Sequence, residues 1–325
     1  MKNLQFLRAA AFLIGAFLLL FAGCHTAQMV LPDNPRVYPG ITMQDVTFHS
    51  AALNRDMLYR VYLPAKIPAG KKLPVVYLLH GNGGSFRNWS NYSDVAQYAA
   101  QDKSGGLILV MADGESSYYM NAAEKPADKF EDYLVNDLIA DVESRFPAER
   151  GRESRAIVGV SMGGFAAVKL ALSRPELFSF AGAISPAIDV PSRKFSWRRA
   201  SQWNRFKTIF GPMDSKSRRD ADPFILVQSA NPAATPYLYI TAGEQEGLLE
   251  PIQRFAALLN TRDFKYEFHT KPGGHDWGEW DAQIPGCFQA LLSRTVDRIS
   301  PISASGVRDM RSGETASSRN VRKLQ

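Results

Sequence analysis

The stretch IVGVSMGGFAAVKLAL, residues 157–172, decides how the rest of the chain is read. An apolar run ends in Gly159-Val160-Ser161-Met162-Gly163-Gly164, and a run with helical spacing follows at once. Two readings compete for the serine at that hinge. In one, the segment is an ordinary strand-to-helix turn, with glycines supplying positive φ and serine as a common turn residue. In the other, the serine sits on a strained turn that exposes its hydroxyl, a nucleophile elbow. G-x-S-x-G arises by accident roughly one time in ten in a chain of this length, so the motif alone does not choose.

The surroundings of the stretch supply a context. LPVVYLLHG (73–81) is a continuous apolar run without alternation, which marks a strand covered on both faces and hence a parallel sheet. The same pattern returns in GLILVMADG (106–114), RAIVGVS (155–161), FSFAGAIS (178–185) and PYLYITAG (236–243). Helical stretches lie between them. In FEDYLVNDLIADVESRF, Tyr133, Leu134, Leu138, Ile139 and Val142 form one apolar stripe, with the acidic residues mostly off it. Strands alternating with helices predict one doubly wound α/β domain over residues 43–299, with a mostly parallel central sheet flanked by helices. ITMQDVTFHS and RDMLYRVYLP read as an outer edge hairpin with alternating faces. The irregular segment from about 187 to 235 reads as a short cap above the sheet. Its Trp197, Trp203 and Phe210 either line a substrate site or pack the cap.

Composition narrows the function classes. Hydrophobic content of 45% and charged content of 22% suit a globular protein with ample core. The net charge is +6, but nine basic against three acidic residues fall between Ala187 and Asp220, so the excess is local. With no zinc-finger, RNP-like or helix-turn-helix pattern, nucleic-acid binding is not expected. Nor is a metal or cofactor. No His/Cys/Asp cluster has ligand spacing, and the glycine-rich HGNGG lacks the Lys-Ser/Thr of a P-loop and the spacing of a dinucleotide fingerprint.

The N-terminus predicts export. Lys2 and Arg8 precede an uninterrupted apolar run of 14 residues, Ala9 to Ala22. That is short of the roughly 20 needed to span a bilayer and fits a signal peptide over residues 1–23. Phe21-Ala22-Gly23-Cys24 resembles the bacterial lipobox, which implies lipidation of Cys24 and attachment to an envelope membrane. Residues 24–42 read as a Pro-rich linker, and 300–325 as a polar, disordered tail. Cys287, the other of two cysteines, then has no disulfide partner and reads as a small apolar residue on a buried helix face.

Ser161 now has a buried strand before it and a helix after it, the context the elbow requires. The amide of Met162 opens that helix, where a carbonyl oxygen would develop charge. A serine hydroxyl needs a base. His25 lies in the linker, His49 in the outer hairpin, His269 on a polar strand face and His80 beside the glycine loop. His275, in KPGGHDWGEW (271–280), follows the last strand at the sheet edge where ligands gather. LYITAGEQEGLLEP (238–251) offers Glu244 and Glu246 as the acid that would hold its tautomer. The loop from Gly81 to Gly84 can bring bare amides close to the serine.

Together YLLHGNGGSFRNW, DGESSYYMN, FEDYLVNDLIADVE, GVSMGGFAAVKLAL and GGHDWGEW resemble the esterase D-like family of α/β-hydrolases, over about residues 43–298. The family includes S-formylglutathione hydrolases, feruloyl and acetyl-xylan esterases and mycolyltransferases. The resemblance implies an α/β-hydrolase fold and a serine esterase. Ser161 would be the nucleophile, His275 the base, and the amides of Asn82 and Met162 the oxyanion hole. Where the family usually has Asp, three residues after Gly243, this chain has Glu246, which leaves Glu244 as the alternative acid. Export directs the expectation to acyl or feruloyl esters, carbohydrate-linked ones included. An acyltransferase using the same site, or a catalytically degenerate binding protein, are the alternatives.

Overall fold

A computed structural model describes residues 32–100, 106–194 and 200–299, with side chains at 200–201 and 295–299 left out. By its contacts the chain divides into Met1–Asn34 and Pro35–Gln325, and the fold is that of the second unit. The signal-peptide segment, Cys24, His25, Trp197 and the tail from 300 lie outside the described residues. Among the described residues no helix is long and apolar enough to cross a membrane.

Eight strands form one sheet in the order β1-β2-β4-β3-β5-β6-β7-β8. They are β1 Ile41–Ser50, β2 Arg55–Pro64, β3 Val75–Leu79, β4 Ile108–Ala112, β5 Arg155–Val160, β6 Phe180–Ile184, β7 Tyr237–Gly243 and β8 Tyr266–Lys271. β1 pairs antiparallel with β2, and β2 with β4; every later pairing is parallel. The apolar runs lack alternation because both faces are covered. Val75, Tyr77 and Leu79 join a core with the helices Met162–Ser173 and Leu249–Asn260. Val76 and Leu78 face the other way, against Trp89, Tyr98 and Phe288.

The β1–β2 hairpin forms one edge of the sheet, as expected, with β1 outermost and β2 between β1 and β4. Both faces of β2 are covered: Tyr59 and Val61 are 0% exposed, and Arg60 and Tyr62 on the opposite face are 1% and 0% exposed. Arg60 is accommodated by two hydrogen bonds to Asp45, of 2.6 and 2.8 Å, and one of 2.8 Å to Ser90. Alternation in type could not reveal that an arginine was buried against a part-exposed counter-charge. The end of the expected linker is also part of the domain. β1 begins at Ile41, and Arg36 pairs with Asp94 at 3.0 Å and Asp281 at 3.3 Å.

Among the described residues between β6 and β7 the cap carries the helices Ala200–Phe210, Lys216–Ala221 and Pro223–Ser229. Arg218, 3% exposed, fastens it by donating to the carbonyls of Pro191, Phe206 and Gly211. Phe210 is buried in a ring cluster with Tyr118, Phe165 and Phe206, and the Arg218 guanidinium lies 5.6 Å from the Trp203 ring centroid. The winding reverses at β3, which has β4 on one side and β5 on the other. Crevices at the carboxyl ends of strands beside such a reversal are where α/β sheets place ligands.

Candidate active site

Four strand ends deliver the site. Ser161 leaves β5 with φ 53° and ψ −109°, outside the usual regions for a side chain with a Cβ. The sheet holds it there: its amide donates to Ile184 O at 2.9 Å, and its carbonyl accepts from Phe165 and Ala187. The neighbouring glycines are required by close approach. A Cβ on Gly159 would lie 2.1 Å from the carbonyl carbon of Gly163, and one on Gly163 would lie 2.3 Å from Leu79 O. The first turn of the helix is therefore pressed against β3 and β5, and the serine side chain is left standing above the sheet edge.

His275 arrives from the loop after β8. Its Nε2 is 2.8 Å from Ser161 Oγ and its Nδ1 is 2.7 Å from Glu246 Oε2. An ionised carboxylate only accepts, so Nδ1 carries the proton and Nε2 is left to accept from the serine hydroxyl. Glu246 has a fully buried side chain, and its other oxygen accepts from the Gly243 amide at 3.1 Å. Trp280 meets the imidazole edge to face at a centroid distance of 5.0 Å. The carboxylate is thus spoken for on both oxygens, and the ring is held from two directions. Glu244, the alternative acid, is exposed, and its amide donates to Lys271 O at 2.9 Å.

The loop after β3 closes over the serine from the other side. A Cβ on Gly81 would be 3.5 Å from Ser161 Cβ. The amides of Asn82 and Met162 make no hydrogen bond to any described residue, while those of Gly83 and Gly84 are taken by Ser116 and Gly81. His80 does not face the serine. It is buried, with Nδ1 2.8 Å from Gly81 O and Nε2 accepting from the Gly114 amide at 3.0 Å, and so braces the glycine loop against the loop after β4. His49 and His269 lie elsewhere, paired with Asp56 and Glu267. Cys287 is buried against Gly182, and burial pushes its thiol pKa up.

Two clefts share Ser161, His275 and Asn82. One, of about 710 Å³, runs under the cap between Tyr118, Arg193, Arg205 and Phe206 on one side and Leu248 and Arg254 on the other. The second, of about 490 Å³, is walled by the Gly81–Gly84 loop, Trp277 and Trp280. Neither Trp203 nor Phe210 lines either cleft. The aromatic wall comes instead from the start of the helix Trp277–Ile299. Trp280 and the cleft arginines were not legible in sequence as site residues. Tyr118 and Tyr119 had one signal only, their place in DGESSYYMN; both adopt positive φ, 58° and 53°.

A serine on a strained strand-to-helix turn, joined through histidine to a buried carboxylate at the carboxyl edge of a mostly parallel sheet, defines a serine esterase of the α/β-hydrolase fold. Comparison with known proteins places it more closely. Residues 50–291 match the family model described as "Putative esterase", and the chain belongs to that family. It is 24% identical over 263 residues to an acetyl esterase of Caldicellulosiruptor saccharolyticus, covering 77% of this chain and 97% of that protein. It is 31% identical over 262 residues to an endo-1,4-beta-xylanase/feruloyl esterase of Xylanibacter ruminicola, covering 77% of this chain but 31% of the longer protein. In fold it resembles the substrate-bound fluorophosphonate-binding serine hydrolase FphF of Staphylococcus aureus, with TM-score 0.67, 24% identity, and 78% and 98% of the two chains covered.

Proposed function

We propose that this protein is an exported esterase that cleaves acyl or feruloyl esters, carbohydrate-linked ones among them, through an acyl-enzyme on Ser161. The observation that carries the reading is the hydrogen-bonded chain Ser161 Oγ–His275–Glu246, at 2.8 and 2.7 Å. As Ser161 Oγ attacks the ester carbonyl, its proton passes to His275 Nε2, and Glu246 stabilises the imidazolium. The carbonyl oxygen becomes an oxyanion held by the Asn82 and Met162 amides, which no described residue uses. Collapse breaks the carbon–oxygen bond of the alcohol, which leaves with the proton from His275. Water, deprotonated by the same Nε2, then attacks the acyl-enzyme and releases the acid and free Ser161.

Support for the ester class comes from the acetyl and feruloyl esterase relatives. Support for export is the apolar run after Lys2 and Arg8, and Cys24 is the proposed lipid attachment point. The deciding experiment is labelling with a fluorophosphonate probe, followed by burst kinetics on 4-nitrophenyl acetate and a panel of feruloyl and acetyl-sugar esters. Labelling and a burst of about one equivalent, both lost in Ser161→Ala, are expected. A folded protein that neither labels nor turns over would sink the reading. Acyl transfer is the second reading, favoured by the meeting of two clefts at one serine, which leaves room for an acceptor alcohol beside the acyl group. Acylated sugar among the products, in place of free acid, would mark it.

A further inference from the structure

Among the described residues, three arginines line the cleft under the cap, and two of them are matched by carboxylates. Arg193 makes paired hydrogen bonds to Asp189, of 2.9 and 2.6 Å, and Arg254 lies 3.4 Å from Glu250. Arg205 has no carboxylate partner among the described residues. Its one hydrogen bond there, 3.3 Å, goes to the side-chain oxygen of Asn82 across the cleft. A guanidinium carries five N–H donors in a planar fork, so most of this head group is open. Arg205 is exposed, but it lines the cleft that also holds Ser161 and His275, and it bonds to Asn82, whose amide makes no hydrogen bond to any described residue.

Tyr118 forms part of the same wall. Its ring is buried against Phe165, Phe206 and Phe210, while its hydroxyl makes no hydrogen bond to any described residue. Burial raises the Tyr118 hydroxyl pKa, with the charges of Arg193 and Arg205 opposing the rise and Asp189 adding to it. Arg205 and Tyr118 are thus two donors in one cleft, where Arg205 is the arginine left without a carboxylate among the described residues. Asp189 and Glu250 would repel a dianion, which favours a singly charged, planar group.

We propose that the cleft under the cap selects esters bearing a carboxylate on the portion that lies there, with Arg205 receiving the charge and the Tyr118 hydroxyl donating a second hydrogen bond. This rests on the reading of Ser161 as the nucleophile. It narrows the substrate class to half-esters and acid-bearing esters, in which the carboxylate sits a short spacer from the scissile carbonyl.

The test measures kcat/KM for two matched pairs on the full chain. Mono-4-nitrophenyl glutarate against its methyl ester places the charge on the acyl side. 4-Acetoxybenzoate against methyl 4-acetoxybenzoate places it on the alcohol side. In at least one pair the acid is expected to be preferred by about tenfold, the size of a part-exposed, charge-assisted contact. The ratio should fall towards one in Arg205→Gln, invert in Arg205→Glu, and persist in the control Arg150→Gln, whose side chain is 68% exposed. No preference in either pair, or one that survives Arg205→Gln, overturns the proposal. Fluorophosphonate labelling is run in parallel. A labelled serine without charge preference overturns this inference alone, whereas an unlabelled Ser161 removes the reading of the site and this inference with it.

Discussion

Glu246 reaches His275 because its longer side chain folds back over its own turn. The Glu246 amide donates to Gly243 O at 3.3 Å, and its Oε1 accepts from the Gly243 amide at 3.1 Å. This leaves Oε2 aimed at the imidazole, so the extra methylene is taken up in the turn. Glu246→Gln keeps the shape but favours the wrong tautomer, and kcat/KM for 4-nitrophenyl acetate should fall by about 10³ to 10⁴. Glu244→Gln, at an exposed carboxylate, should stay within about twofold in the same assay. Equal losses in the two variants would contradict this assignment.

At the scale of elements, the strand–turn–helix unit carries the site only while its helix stays pressed to the sheet. Gly163→Ala puts a Cβ against the backbone carbonyl of Leu79, which has no side chain free to move away. A loss of more than about 3 kcal/mol is expected in urea unfolding, together with loss of probe labelling. The same helix is tied to its neighbour by Lys169, whose ammonium lies 2.5 Å from Glu131 with side chains 7% and 14% exposed. Lys169→Ala strands a nearly buried carboxylate and should cost about 3 kcal/mol, while Lys169→Ala with Glu131→Gln should recover part of it. A neutral single variant would mean that solvent reaches the pair.

For the molecule as a whole, Cys287 offers a probe of global stability. It is fully buried on the helix Trp277–Ile299, packed against β6, and burial raises its thiol pKa. In a Cys24→Ser background, reaction with an aromatic disulfide should await opening of that layer, with a rate that rises with urea as global unfolding does. Fast reaction in the native state would show that the helix opens separately from the sheet. The wider plan was legible because a sheet covered on both faces writes itself as unbroken apolar runs, as in LPVVYLLHG. The burial of Arg60 was not legible, because its cost is offset by Asp45 and Ser90, the latter 30 residues along the chain.

Local sequence determined the strand–helix alternation, the glycine-flanked Ser161 and the loops that bear Glu246 and His275, since each depends on residues adjacent in the chain. Only the tertiary structure shows Glu246, not Glu244, against His275, because the turn after Gly243 exposes one and directs the other inward. It also decided that Trp280 packs on His275 and that Arg205 reaches Asn82, whereas Trp203 and Phe210 do not line the two clefts. Those choices depend on where the cap and the last helix close over the sheet, and contacts between residues more than a hundred positions apart, such as Arg205 with Asn82, leave no periodic trace in sequence.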